Sequence, residues 1–119
     1  MDLVNVVIIA LIVAFLVWRL MPVKGVSNIT TADLKNQLTD RNKQFIDVRT
    51  PGEYKSNHIK QFKNIPLNEL GSRVTQLSKE KEVVVICQSG MRSSKASKLL
   101  KKMGFKQVTN VKGGMSAWT

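Results

Sequence analysis

The chain has 119 residues, with 19 Lys+Arg against 8 Asp+Glu and a formal charge of +11. That length holds one small domain and an appendage. A single cysteine excludes an intramolecular disulfide framework and a multi-cysteine zinc site, and a single histidine argues against a histidine-rich metal centre, so neither metal nor cofactor is expected.

Residues 3–18, LVNVVIIALIVAFLVW, are apolar except for Asn5. Extended to Met21 the run reaches roughly 28 Å as a helix, at about 1.5 Å per residue, close to the hydrocarbon thickness of a bilayer. It has no polar face, Trp18 would fall at the interface, and Arg19 could snorkel out. A transmembrane helix over residues 1–21 is the expectation. A cleaved signal peptide competes, but it needs a basic start and a small-residue cleavage site. The chain opens Met1-Asp2 and no A-x-A follows the apolar run. Arg19 and Lys24 flank the segment on one side only, so the positive-inside rule places residues 22–119 in the cytoplasm, at the cell membrane.

Residues 22–27 read as a linker, broken by Pro22 and Gly25. The domain is expected over residues 28–119. Thr30 or Thr31 can cap a helix running to about Leu38. Phe45 to Val48 is a short strand. Thr50-Pro51-Gly52-Glu53 opens a brief helix, with threonine at the N-cap, proline at the first position and glutamate three residues on. Irregular chain carrying Ile59, Phe62 and Ile65 leads to Pro66, and Asn68 to Leu77 reads as helix. Val83-Val84-Val85-Ile86 is the strongest strand, and its unbroken apolarity suggests cover on both faces. Ser94 to Met103 is a helix with Ala96, Leu99, Leu100 and Met103 inward, and Gly104 ends it. Val108 to Val111 is a last strand, and Gly113-Gly114 turns the chain toward Trp118. Alternating short strands and helices argue an α/β domain whose central sheet is mostly parallel and flanked by helices.

The basic excess lies after residue 21 and is scattered. With few aromatic residues and no reading helix, a nucleic-acid partner is not expected. A solvated surface or attraction to an anionic membrane face fits better.

Chemistry concentrates between strand and helix, in Cys87-Gln88-Ser89-Gly90-Met91-Arg92-Ser93. A strand ending at Cys87 delivers the thiol to the C-terminal edge of the sheet, where open α/β proteins place ligands. Backbone N–H groups entering the helix form an anion nest and lower a thiol's pKa. Gly90 allows the tight curl, Ser89 and Ser93 add hydroxyls, and Arg92 adds fixed charge. Cys87 is thus the candidate nucleophile, with residues 88–93 around the substrate. The competing reading is an inert thiol ending a core strand. His58 reads as a hydrogen-bonded loop residue, and no base is required of it. Cysteine phosphatases use C-x5-R, whereas Cys87 to Arg92 is C-x4-R, a smaller ring suited to a persulfide sulfur.

C-Q-S-G-M-R-S closely resembles the C-x-x-G-x-R-S loop of the rhodanese family of sulfurtransferases. Further landmarks follow in order: Ile46-Asp47-Val48-Arg49, Glu53-Tyr54, His58-Ile59, Asn64-Ile65-Pro66, Gly104-Phe105 and residues 111–118. The sequence departs from the family's usual glycines and alanine at Asn57, Gln61 and Phe62. A membrane helix before one such domain is similar to small membrane-bound bacterial members. The resemblance implies sulfur transfer from a small anionic donor such as thiosulfate to a thiol or cyanide acceptor, through a Cys87 persulfide. It also implies a sulfur-relay protein as a candidate partner. Asp47 and Arg49 are expected to be structural. The alternative function is a membrane-tethered binding module on the same fold, without turnover.

Overall fold

The computed structural model describes residues 2–20 and 25–119, with the side chains of Arg19 and Leu20 left aside. Helix α1 spans Leu3–Leu20. Strand β1 is Val26–Ile29, helix α2 Thr31–Lys35, β2 Lys43–Asp47, α3 Pro51–Ser56, β3 Lys63–Asn64 and α4 Leu67–Arg73. A 3-10 turn follows over Val74–Gln76, then β4 over Glu82–Ile86, α5 over Met91–Lys102, β5 over Val108–Val111 and α6 over Gly114–Ala117.

The five strands form one sheet in the order β1-β5-β4-β2-β3, and every pairing is parallel. The expected α/β layout therefore holds. Alternation along β4 explains its unbroken apolar run. Val83 and Val85 join Leu70, Ala96, Leu100 and Phe105 on one side of the sheet. Val84 and Ile86 join Leu34, Phe45, Ile59 and Phe62 on the other. Cys87 continues the Val83–Val85 side, which carries the thiol beneath the start of α5.

Local signals set several boundaries. Thr30 and Thr50 each make a full capping box, with Asp33 and Glu53 respectively. Helix α2 stops at Lys35, short of the expected Leu38, and Leu38 packs on the core from a turn. The helix expected over Asn68 to Leu77 divides into α4 and the 3-10 turn. Helix α5 begins at Met91, three residues before the expected Ser94, because Gly90 takes φ +104° and turns the chain directly into the helix. Strand β1 was not expected. It takes in Val26 and Ser27, which the sequence assigns to the linker, and pairs with β5. Phe62 is buried against Phe45 at 5.2 Å between ring centroids, so a family glycine-alanine position is filled by core here.

The expected transmembrane helix needs a correction. Among the described residues no helix is long and apolar enough to cross a membrane. The described side chains of α1 end at Trp18, about 24 Å from Leu3 at about 1.5 Å per residue, short of a hydrocarbon core of about 30 Å. The extension that completes the span uses Arg19, Leu20 and Met21. Met21 and the first half of the linker, residues 22–24, lie outside the described residues.

Candidate active site

Strand β4 ends at the C-terminal edge of the sheet and hands over to Cys87, whose side chain is fully buried. The chain curls through Gly90 so that its N–H donates to Cys87 Sγ at 2.9 Å. Cys87 Sγ and Ser93 Oγ are in contact at 3.3 Å, and Ser93 also donates to the Gly90 carbonyl at 3.1 Å. One hydroxyl proton cannot serve both bonds. In the thiol form, Cys87 donates to Ser93 and Ser93 donates to Gly90. On ionisation the hydroxyl can rotate and donate to the sulfur instead. Burial pushes the thiol's pKa up, but the Ser93 hydroxyl and the amides of Ser93, Gly90 and Ser89 together outweigh it, leaving the pKa below the ordinary value.

The remaining loop residues divide by role. Ser89 and Gly90 lend backbone to the sulfur, and Ser93 lends both backbone and hydroxyl. Met91 projects outward, 74% exposed, at the mouth. Gln88 turns its side chain away. It accepts from Arg49 Nη1 at 3.3 Å and donates to Ser116 Oγ at 3.2 Å, so it braces the loop. Arg92, part-exposed, forms a two-pronged pair with Glu53, at 2.6 and 2.9 Å. Those bonds pull the Glu53 carboxyl down to about 2, against a smaller upward push from burial.

The loop has three supports, of which the Asp47–Arg49 pair was expected to be structural and the other two were not legible as such in the sequence. Glu53 signals a helix start by its spacing from Thr50, yet the same carboxylate bonds Thr50 N–H and grips Arg92. The buried Asp47–Arg49 pair, at 2.9 Å, links the end of β2 to the loop through Gln88 and to the Asn57 carbonyl. Gly113-Gly114 forms the back wall. Met115 N–H donates to the Cys87 carbonyl at 2.8 Å and Ser116 N–H to the Gln88 carbonyl at 2.9 Å. A Cβ on Gly114 would lie 2.1 Å from the Cys87 carbonyl oxygen, so only glycine fits.

His58 is exposed, its ring stacks on Tyr54 at 3.9 Å, and its Nδ1 pairs with the Tyr54 carbonyl at 2.8 Å. Its contacts are with α3, as expected for a loop histidine. Beside the loop, a cleft of about 340 Å³ is lined by Val48, Thr50, Pro66, Leu67, Asn68 and Arg92.

The arrangement supplies a buried, ionisable sulfur inside a ring of donors, with a bonded shell that fixes the ring. Such preorganised donors favour an anionic sulfur. The rhodanese-like domain family profile matches residues 30–119. YtwF of Bacillus subtilis, provisionally named a sulfurtransferase, is 42% identical over 94 residues, covering 78% of this chain and 90% of YtwF. YrkF of the same organism, provisionally named a sulfur carrier protein, is 42% identical over 81 residues, which cover 68% of this chain. The match spans only 44% of YrkF's length. A rhodanese-like domain protein from Staphylococcus aureus superposes with a TM-score of 0.73 at 34% identity, covering 78% of this chain and 91% of that one. A profile match that runs from Thr30 to Thr119, with a relative 42% identical over most of its own length, shows that the chain belongs to the rhodanese-like domain family.

Proposed function

We propose that the protein is a sulfurtransferase working through a Cys87 persulfide. The carrying observation is the 2.9 Å bond from Gly90 N–H to Cys87 Sγ, within donors that hold the thiol below its ordinary pKa. The Cys87 thiolate attacks the outer sulfur of thiosulfate. A new S–S bond forms, the old one breaks, and sulfite leaves with the bonding pair. The persulfide's outer sulfur keeps the negative charge and is the anion that the loop amides stabilise. An acceptor thiolate then attacks that outer sulfur, leaves as the new persulfide, and returns Cys87 to its thiolate. Cyanide can replace the thiol in assay. The sulfur-carrier name of YrkF favours a protein-borne thiol as one such acceptor.

Steady-state turnover of thiosulfate and cyanide tests the reading. Parallel double-reciprocal lines, lost entirely in Cys87→Ser, are expected. Tight protein binding without turnover by the intact loop would favour the binding module instead.

The same proposal includes a membrane tether at the N-terminus, with the domain on the cytoplasmic side of the cell membrane. Every large apolar side chain from Leu3 to Trp18 is exposed, none below 47%. A helix apolar all round needs an apolar medium or a covering partner. The sequence adds Leu20 and Met21 to the run, and Arg19 and Lys24 as cytoplasmic flanks. Flotation of the full chain with lipid vesicles, resistant to a high-salt wash, supports the tether. Recovery in the soluble fraction contradicts it.

A further inference from the structure

The fold assigns opposite ends of the sheet to two different tasks. All strands are parallel, so Cys87 and its supports share the C-terminal edge, while Val26, Glu82 and Val108 start the strands at the other. Strand β4 is five residues long, about 17 Å at about 3.3 Å per residue. Helix α5 runs back from the loop and ends at the strand-start edge, with Lys101 and Lys102 in its last turn. Lys101 lies against Gly25, where a Cβ would meet its Cε at 2.7 Å, and donates to the Lys106 carbonyl at 3.1 Å. Lys106 N–H in turn donates to the Lys79 carbonyl at 3.1 Å. Lys79, Lys101 and Lys106 therefore meet near the point where the chain enters the domain, Lys102 ends the adjoining helix, and Lys81 precedes β4 beside Asp40, Glu80 and Glu82. Among the described residues, only Lys106 of these five has a carboxylate partner, Glu80 at 2.6 Å. Gly25 follows Leu20 by five residues, at most about 18 Å of extended chain. Whatever holds α1 holds this lysine edge within that reach.

Building on the tether proposed above, we propose that this lysine edge seats on anionic phospholipid headgroups and turns the Cys87 loop away from the bilayer. Charge complementarity favours the contact, since a negative leaflet attracts basic groups within a Debye length of its surface. At the opposite edge the Asp47–Arg49 and Glu53–Arg92 pairs are matched, and Lys55 and Lys112 are the exposed lysines near them. The donor and acceptor of sulfur then reach Cys87 from the aqueous phase, and a lipid-dissolved donor has no direct route.

Lysine labelling on vesicles tests this with the full chain. The protein is mixed with vesicles of phosphatidylcholine alone, or of phosphatidylcholine and phosphatidylglycerol in equal parts, floated, labelled with an acetylating reagent, and read by peptide mass spectrometry. On anionic vesicles, labelling of Lys79, Lys81, Lys101 and Lys102 should slow by about fivefold relative to neutral vesicles. Lys55 and Lys112, exposed near the active-site edge, should label alike on both. High salt should abolish the difference. Flotation on both vesicles with equal labelling at the two edges overturns the seating alone. Failure to float on either overturns the tether and the seating with it.

Discussion

At Cys87 two opposed effects meet, burial raising the thiol's pKa and donors lowering it, and the donors win. The rate of persulfide formation should therefore rise with pH as thiolate fills, with a midpoint below that of an ordinary thiol. Ser93→Ala removes the hydroxyl that follows the sulfur's charge. It should shift that profile to higher pH and slow the reaction about fivefold at neutral pH, the equivalent of about 1 kcal/mol. An unmoved profile would mean that the amides suffice. Arg92 was expected around the substrate, drawing in the donor or holding the loop, and its bonds to Glu53 fit the second of these roles. Glu53→Gln and Arg92→Ala should each slow persulfide formation by about fivefold, and the double variant should be no slower than either. A Glu53→Gln enzyme with full rate would return Arg92 to the substrate. The sign of the pH effect on this pair follows from the lowered Glu53 pKa: its contribution to stability is complete above about 4.5 and is lost as pH falls toward about 2. Acid loss of activity at milder pH therefore reports protonation of Cys87, not release of the clamp.

Among the elements, the Gly113-Gly114 turn and the loop it backs behave as one unit. Gly114→Ala places a methyl group onto the Cys87 carbonyl and forces φ +56° on alanine. A loss of about 2–4 kcal/mol in unfolding free energy is expected from denaturant melts, with activity falling alongside. Gly71→Ala is the control. It sits in α4 with open space around its Cβ position, and should be neutral or stabilising by about 0.5–1 kcal/mol. Element identity was legible where a strong local signal existed: the Val83–Ile86 run, the Thr50 capping box, and the Gly90 turn. Strand β1, VSNI, was not legible, because it is short and half polar and earns its place only by pairing with β5. The partners of the supporting residues were hidden for a related reason. Asp47, Arg49 and Glu53 lie 34 or more residues before the loop they brace, and only the parallel sheet brings β2, α3 and β4 to one edge.

For the whole molecule, a family-sized domain with a sulfur-holding loop is joined to an apolar helix by a few residues. The sequence made both parts visible: the loop through its spacing, the helix through its unbroken apolarity. It left the direction of the active site open, since that depends on which sheet edge the linker meets. The parallel topology places Val26, where β1 begins, and Cys87 at opposite edges. Sulfur transfer through Cys87 remains the claim on which the rest depends, and intact-protein mass spectrometry after incubation with thiosulfate tests it most directly. The wild-type chain should gain the mass of one sulfur, about 32 Da, located on Cys87 and removed by cyanide. Cys87→Ser should gain nothing. A wild-type chain that stays unmodified with thiosulfate and with other sulfane donors would contradict it.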